Sequence, residues 1–333
     1  MVRSVDKKGK LTADHIMTKA AELSPFVDCG EKIKVKIEPK ASGDGNRHVC
    51  GFGIKRKALQ TLCVDLLATK FGVDPNDYLT KGRGADRASD RIVELMEEEK
   101  YKCFILGDIK DFFPTINWKW IQSATGLPID VVKHCLIVSD KPPLTVRLPL
   151  PLSTTLTSLA GAVRFRLPQG SRAAQFIASL ILGPALKSLV PPDRLAFYGD
   201  DYAIAAHSEK EAKALTKALH EMFKSHPAGP FQLKRCEIAY AVDGFSFLQY
   251  QQRLNPVTGK VLRRPAQSSY ERYARKVTEI VRAYPWAIAA ERIVQYRYHW
   301  MRSFRRWEWI EPSELLLWLI TQNAIKAGKA LKG

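Results

Sequence analysis

Two adjacent carboxylates near the middle of the chain have the residue types and the setting of a metal site. Asp200 and Asp201 follow Gly199 within residues 195–206, which read LAFYGDDYAIAA. Two apolar runs joined through Gly-Asp-Asp predict a tight β-hairpin that carries both carboxylates at its tip. Adjacent carboxylates repel each other unless a cation lies between them, and Mg²⁺ held by carboxylates and substrate phosphates is the usual form. Gly and Asp are also common turn residues, so the pattern needs support from elsewhere.

A third carboxylate, Asp108, follows a short apolar run. Residues 103–106 read CFIL and predict a buried strand that ends at Gly107-Asp108. If this strand and the 195–206 hairpin are neighbours in one sheet, the three carboxylates could hold two metal ions. Such ions activate an attacking hydroxyl and stabilise a leaving pyrophosphate. The alternative is that Asp108 is only a helix cap.

A second predicted hairpin lies near the beginning of the chain. Residues 31–37 (EKIKVKI) alternate charged and apolar side chains, which predicts a half-exposed strand, and residues 47–50 resume as a strand after a Gly-rich loop. Lys40 and Arg47 lie on opposite arms and could converge on one anion, such as a triphosphate. Taken alone, the pattern is more typical of a solvated hairpin.

The charge of the chain indicates its class of partner. It has 333 residues, with 52 Lys and Arg against 34 Asp and Glu, for a net charge of +18. An excess of this size is typical of proteins that bind nucleic acid, because each phosphate contact releases counterions. The 46% hydrophobic and 26% charged residues exclude general disorder. The length indicates about two domains.

Cysteine spacing and hydropathy bear on the compartment. The six cysteines include no C-x-x-C pair, which argues against a zinc site or a disulfide framework and favours a reducing compartment. No apolar run approaches the ~18 residues that a membrane span needs. We therefore expect a cytoplasmic protein that does not use a membrane as a partner.

The elements that must position these residues are predicted from periodicity and turn residues. Helices are expected over residues 54–68, 90–100, 118–138, 173–189 and 208–223, the last opened by a capping box of Ser208 and Glu211. Residues 141–166 are Pro- and Thr-rich and are expected to be an irregular insertion. A strand over 231–240 carries Lys234, and a hairpin begins at Gly244 and turns at 255–259. Residues 268–333 are helical, basic and aromatic, which suits a nucleic-acid surface and a packed core equally.

Five motifs, taken together, resemble those of the reverse transcriptases. They span roughly residues 35–255 in the order and spacing of that family. The motifs are the Lys40 to Arg47 hairpin of the fingers, residues 108–116 (DIKDFFPTI) of the first catalytic motif, residues 167–170 (LPQG) of the template and nucleotide motif, residues 198–201 (YGDD) of the catalytic hairpin, and residues 247–250 (FLQY) of the primer grip.

The resemblance implies a role for each matching residue. Asp108, Asp200 and Asp201, with Ile109 beside them, would bind two Mg²⁺ ions, with Mn²⁺ as a substitute, and Lys234 would protonate the pyrophosphate. The nucleotide would contact Lys40, Arg47, Phe113, Gln169 and Gly170. The primer grip would be Phe247, Leu248, Gln249 and Tyr250. Apart from the resemblance, the local concentration of basic residues predicts nucleic-acid contacts at Lys81, Arg83, Arg164, Arg166, Arg302, Arg305 and Arg306.

The implied fold is α+β, the right-hand polymerase architecture with fingers, a palm with an antiparallel sheet, and a helical thumb. Residues 1–107 would form the N-terminal part of the fingers. Residues 108–245 would form the palm, with a fingers insertion at 118–166, and residues 246–333 the primer grip and thumb. The partners would be dNTPs and an RNA template with its primer. Whether a dedicated noncoding RNA, a partner protein from the same operon or a second copy of the chain takes part stays open.

Two other functions are consistent with parts of the pattern. An RNA-dependent RNA polymerase also uses Tyr-Gly-Asp-Asp, but Phe113, five residues after Asp108, favours DNA synthesis. A flat apolar ring excludes a ribose 2′-hydroxyl sterically and leaves it without a hydrogen bond. A catalytically silent RNA-binding module is disfavoured by the retention of Asp108, Asp200 and Asp201 together with Lys40, Arg47 and Lys234.

One departure from the family pattern indicates a branch. After Gln169-Gly170 most of the family has a Ser-Pro pair where this chain has Ala174-Gln175. The chain is therefore more similar to the divergent bacterial enzymes of diversity-generating, abortive-infection and other antiviral defence systems. Val257-Thr258-Gly259 resembles a retron triplet, although an Asn-Pro-x-Thr-Gly turn explains it equally well.

Overall fold

The computed structural model describes residues 17–18, 20–39, 46–80, 82–138, 144–146, 161–307 and 311–331, with only the main chain at 39, 144–146 and 311–313. The chain divides into two compact units, each assembled from three stretches of sequence. The first unit is Met1–Thr80, Gly107–Asp193 and Leu215–Cys236, and the second is Lys81–Leu106, Arg194–Ala214 and Glu237–Gly333. Each is described by itself below.

Helices and strands are mixed along the whole chain. The strands include β1 (Ile33–Pro39), β2 (Asn46–Gly51), β3 (Cys103–Ile109), β4 (Leu144–Val146), β5 (Leu195–Tyr198), β6 (Asp201–Ala206), β7 (Leu233–Tyr240), β8 (Phe245–Phe247), β9 (Tyr250–Leu254) and β10 (Val261–Pro265). The helices include α1 (Ile54–Phe71), α2 (Ala85–Glu97), α3 (Phe112–Thr115), α4 (Trp118–Thr125), α5 (Ile129–Val131), α6 (Ala174–Lys187), α7 (Glu209–Ser225), α8 (Gln267–Ala283), α9 (Trp286–Arg302) and α10 (Glu311–Ala330).

The first unit contains the predicted N-terminal hairpin. β1 pairs antiparallel with β2, and Glu38 lies opposite Arg47. Buried and exposed side chains alternate along β1, as the alternation of residues 31–37 predicts. β1 also pairs in parallel with β4, so the sheet order is β2-β1-β4. The strand at residues 144–146 therefore corrects the expectation of irregular structure at that point of 141–166, most of which lies outside the described residues. The strand forms through pairing with β1, a long-range contact that a short Pro- and Thr-rich sequence does not signal.

Two helices in the described chain depart from their predicted boundaries. α2 begins at Ala85, not at residue 90, and ends at Glu97. The predicted helix over 118–138 divides into α4, α5 and a π-helical turn, Val132–Leu136. Gly126 ends α4 in the left-handed conformation that glycine adopts without strain. α1 and α6 agree with the predicted helices at 54–68 and 173–189.

The second unit contains the predicted central hairpin, in which β5 and β6 pair antiparallel within a four-stranded sheet. The strand order is β5-β6-β3-β7, and in this unit the amide of Lys102 donates to the carbonyl of Ala206 at 3.1 Å. One of the two hydrogen bonds of the predicted capping box of α7 is confirmed, since the amide of Glu211 donates to Oγ of Ser208 at 3.2 Å. The Glu211 carboxylate accepts from the amide of His207 and from Arg194.

The C-terminal part of the second unit is a three-stranded sheet followed by helices. The sheet order is β10-β9-β8, so residues 245–265 form two successive hairpins and not the single one expected. α8, α9 and α10 pack around a cluster that includes the buried rings of Tyr270, Tyr273, Trp300, Phe304 and Trp307. The described aromatic side chains of this tail therefore divide between core and surface, since these five are buried while Trp286, Tyr298 and Trp318 are exposed. Among the helices that the structure describes, none combines the length and the apolar character of a membrane span.

Candidate active site

Asp108 lies at the end of a fully apolar strand. The side chains at 103–106 are at most 1% exposed, and β3 extends through Asp108 to Ile109, so the carboxylate is part of the strand and does not follow it. The end of the strand is held in the first unit by a hydrogen bond from the amide of Lys110 to the carbonyl of Gln232, 2.8 Å. Burial in a packed sheet therefore fixes the position of the carboxylate.

Two cationic side chains of β7 act electrostatically on this carboxylate. Burial raises the pKa of Asp108, and the positive charges of Lys234 and Arg235 and the amide of Ile109 oppose the rise. Lys234, selected from the sequence as the acid, thus lies where it acts electrostatically on Asp108. Arg235 was missed, because it is the next residue on the same strand and alternation assigns neighbouring side chains to opposite faces.

Phe113 is positioned by the tilted aromatic rings that pack beneath it. α3 begins immediately after Asp111, which adopts a left-handed conformation with φ 47°. Phe112 is 1% exposed, and its ring packs 5.1 Å from that of Phe231 and 5.5 Å from that of Phe113. Because Phe112 is anchored in the core, Phe113 is held half-buried, and its side chain lines a cavity of the first unit.

A cavity of about 700 Å³ in the first unit gathers four residues that the sequence placed at the nucleotide. They are Arg47, Phe113, Gln169 and Gly170. The remaining lining residues are Glu38, Val49, Thr61, Val64, Ser171, Arg172, Ala174 and Gln175. Arg172 and Gln175 were not predicted as site residues, although they follow the LPQG motif directly. Their proximity to that motif is the signal that could have found them.

The LPQG motif is joined to β2 by main-chain contacts. The amide of Cys50 donates to the carbonyl of Gln169 at 2.8 Å, and Val49 and Gln169 form an isolated parallel bridge. Gly170 has φ +98°, and a Cβ atom there would lie 2.3 Å from the carbonyl oxygen of Cys50. A residue with a side chain therefore cannot occupy this position without separating the motif from the strand.

Replacing Gly170 with alanine is expected to lower the free energy of unfolding by about 1–3 kcal/mol or more. The added Cβ would clash with the carbonyl oxygen of Cys50, and this clash adds to the strain of a positive φ. Urea unfolding followed by circular dichroism measures the change. Gly161→Ala is the matched control, since a Cβ at Gly161 meets nothing within 4 Å. Equal stability of the two variants would contradict the close approach of Gly170 to β2.

The second unit carries the other two predicted carboxylates. β5 and β6 pair antiparallel, Tyr198 lies opposite Asp201, and Gly199 and Asp200 form the two-residue turn. Gly199 has φ +67°, which a tight hairpin turn uses and glycine adopts without strain. The hairpin is confirmed, with Asp200 in its turn and Asp201 as the first residue of β6. The strands beneath are buried, so a rigid base supports both carboxylates.

The predicted primer grip is the turn between β8 and β9. Leu248 and Gln249 have φ +46° and +74°, and they separate the buried side chains of Phe247 and Tyr250, each 1% exposed. The carbonyl of Gln249 accepts from the amide of Ala266 at 2.7 Å. Only Leu248 and Gln249 are thus presented at the surface, while Phe247 and Tyr250 anchor the turn.

The predicted nucleic-acid contacts are exposed wherever the structure describes them. They are Arg83, Arg164, Arg166, Arg302, Arg305 and Arg306. Arg166 donates to the carbonyl of Pro114, which links it to α3. Lys40 and Lys81 were predicted to contact the nucleotide and the nucleic acid, and both lie outside the described residues.

The predicted metal set falls in both units, with Asp108 and Ile109 in the first and Asp200 and Asp201 in the second. In the part of the chain that the structure describes, no three His, Cys, Asp or Glu side chains form a group that could hold a metal ion. The shared metal set stays a prediction. Its donors are carboxylates, the ligands that hard divalent cations prefer.

Comparison with known families decides what this arrangement of motifs is. A family model described as "Reverse transcriptase (RNA-dependent DNA polymerase)" matches residues 39–251, more than half of the chain. The chain belongs to the reverse transcriptase family. Reverse transcriptases are RNA-directed DNA polymerases, a class of nucleotidyltransferase, with the right-hand polymerase fold. They bind a template, a primer and nucleotides, and they use divalent metal ions. No curated protein matches the chain significantly.

Proposed function

We propose that this reverse transcriptase extends a primer on an RNA template with dNTPs. The observation that carries the proposal is the cavity of the first unit, which brings Arg47, Phe113 and Gln169 together from three distant parts of the sequence. A guanidinium for the triphosphate, an apolar ring for the sugar and a neutral amide near the base are the groups that a deoxynucleotide requires.

The proposed catalytic group is Asp108, Asp200 and Asp201, with two Mg²⁺ ions and with Mn²⁺ able to replace them. Carboxylate oxygens suit these ions in charge and hardness. When bound, the ions would supply an activated primer hydroxyl and charge compensation for the leaving pyrophosphate. The family order of the motifs supports this assignment, as does the position of Asp108 at the end of a rigid buried strand.

The remaining residues have proposed roles in binding and proton transfer. Arg47, with Lys40, binds the triphosphate, and Gln169 and Gly170 position the nucleotide against the template. Lys234 donates a proton to the pyrophosphate, a role that its electrostatic effect on Asp108 supports. The turn at Leu248 and Gln249 holds the primer strand.

Phe113 is the proposed determinant of sugar choice. Its ring lines the cavity and rests on Phe112, so it cannot withdraw without disturbing the core. A ribonucleotide would place its 2′-hydroxyl against this ring, with a steric conflict and no hydrogen-bond partner. This supports DNA synthesis over the RNA polymerase alternative.

The test is to purify the protein with its associated RNA, add Mg²⁺, supply labelled dNTPs or NTPs separately, and sequence the product. Incorporation of dNTPs supports the proposal and reveals the template and the primer. Incorporation of NTPs alone would establish an RNA polymerase. No incorporation of either would support the RNA-binding module or the need for a missing partner.

We further propose that the enzyme acts in the bacterial cytoplasm in antiviral defence, together with a dedicated noncoding RNA. The departure at Ala174-Gln175, which are part of the cavity lining, supports a divergent bacterial branch over a group II intron or retroviral enzyme. Phage plating on cells with the intact operon or with an Asp200→Asn operon tests the role. Equal plating efficiencies would rule it out.

A further inference from the structure

One carboxylate of α2 holds two guanidinium groups from different parts of the second unit. Oδ1 of Asp90 accepts a hydrogen bond from Arg263 of β10 at 2.9 Å, and its Oδ2 forms an ion pair with the guanidinium of Arg306 at 2.8 Å. Arg306 follows the end of α9. The carboxylate thus connects α2, the hairpin that follows the proposed primer grip, and the helical tail. The local charge is one negative against two positive.

The two arginines differ in what else they contact. The Arg263 side chain is 16% exposed and also donates to Oγ of Ser89 at 3.1 Å, so it is held on α2 by two partners. The Arg306 side chain is 40% exposed. Its main chain is held instead, because the Arg306 amide donates to the Tyr250 hydroxyl, which in turn donates to Asp86 at 2.9 Å. The guanidinium of Arg306 can therefore move while its main chain stays in place.

Arg306 belongs to an exposed basic strip formed by Arg302, Arg305 and Arg306. Arg302 stacks on the exposed ring of Tyr298, with its guanidinium 5.5 Å from the ring centre. Such a strip, with an aromatic ring beside it, suits a nucleic-acid backbone. Asp90 is an acidic side chain bound to this strip, so it competes with a phosphate for Arg306.

We propose that the Asp90–Arg306 pair is an exchangeable latch that nucleic acid opens. In the free protein Arg306 pairs with Asp90, and when a phosphate backbone binds the strip, Arg306 transfers from the carboxylate to a phosphate. The pair is partly exposed, with the Asp90 side chain 24% exposed and that of Arg306 40% exposed, and ion pairs open to water contribute little to stability, so Arg306 is easily exchanged. Asp90 keeps its bond to Arg263 after the exchange, so no charge is left without a partner. The latch rests on the proposed function, since it presumes a nucleic-acid substrate on the thumb.

The latch predicts that removing the Asp90 charge strengthens binding through Arg306. The probe is a fluorescein-labelled RNA–DNA primer–template duplex, followed by anisotropy without metal ions or dNTPs. Asp90→Asn is expected to tighten binding by about two- to fivefold, the range of an exposed ion pair. Arg306→Ala is expected to weaken it. In a protein that already carries Arg306→Ala, Asp90→Asn is expected not to tighten duplex binding through the latch. The reason is that the two residues act as a pair, and the arginine that Asp90 would release is absent.

Matched variants separate the latch from general electrostatics and from misfolding. Glu94→Gln removes the same charge from the same helix, at a carboxylate paired with Arg91, and is expected to tighten binding less than Asp90→Asn does. Asp90→Glu keeps the charge and is expected to bind like the wild type.

Three results would overturn the latch. They are weaker binding by Asp90→Asn, a gain no larger than that of Glu94→Gln, and a gain that persists without Arg306. The readout of this experiment is binding alone. A protein whose Asp90 and Arg306 variants show the expected changes in binding but which incorporates no dNTP would therefore overturn the proposed function and leave the latch intact.

Discussion

Asp200→Asn is expected to abolish dNTP incorporation while leaving the protein folded. Asparagine has the shape of aspartate and is a favoured turn residue, so the β5–β6 hairpin should keep its two-residue turn. What is lost is one charge of the proposed metal set. Several kcal/mol of lost charge stabilisation corresponds to a fall in rate of roughly a thousandfold. Primer extension under single-turnover conditions measures the fall, and circular dichroism confirms the fold.

The control for this variant is Asp243→Asn. Asp243 is exposed in the turn after β7, so the same change of charge in the same unit should leave extension near the wild-type rate. If Asp200→Asn kept more than about a tenth of the wild-type rate, Asp200 would not be a metal ligand. Binding of the duplex by Asp200→Asn, with extension lost, would distinguish an enzyme from a binding module.

Phe113→Ala is expected to give the second largest effect, a loss of discrimination against ribonucleotides. Without the ring the cavity gains room where a 2′-hydroxyl would lie, and the preference for dNTPs over NTPs is expected to fall by about 10- to 100-fold. The measurement is the ratio of kcat/KM for dCTP and CTP on the same primer–template. The expected change is a gain in NTP use, which a destabilised enzyme would not show.

Phe113→Tyr is the matched variant, because it keeps the flat ring on Phe112. It is expected to retain most of the selectivity while Phe113→Ala loses it. If Phe113→Ala left the ratio of kcat/KM values unchanged, the ring would not contact the sugar, and the RNA polymerase alternative would regain support.

Local patterns in the sequence predicted the elements that carry the chemistry. The apolar runs on either side of Gly199 predict a hairpin because strand periodicity and turn chemistry are both local. The same reasoning gave β3 from residues 103–106, α6 from a long apolar run, and the Ser208–Glu211 cap. The order of the motifs then gave the family, which the match over residues 39–251 confirmed.

Tertiary structure decided which of these residues meet. Arg47, Phe113 and Gln169 line one cavity. Gln169 is held there by a hydrogen bond to β2, and Phe113 is held there by Phe112, which packs on Phe231. Strand β4 and the two arginines on Asp90 depend on pairing across long stretches of chain. Whether the aromatics of the tail face water or the core was equally open from their spacing. Sequence by itself determined the local elements and the reacting groups, because propensity and turn chemistry act over a few residues. Packing determined the cavity, the buried rings and the ion pairs, because those depend on which surfaces the folded chain brings together.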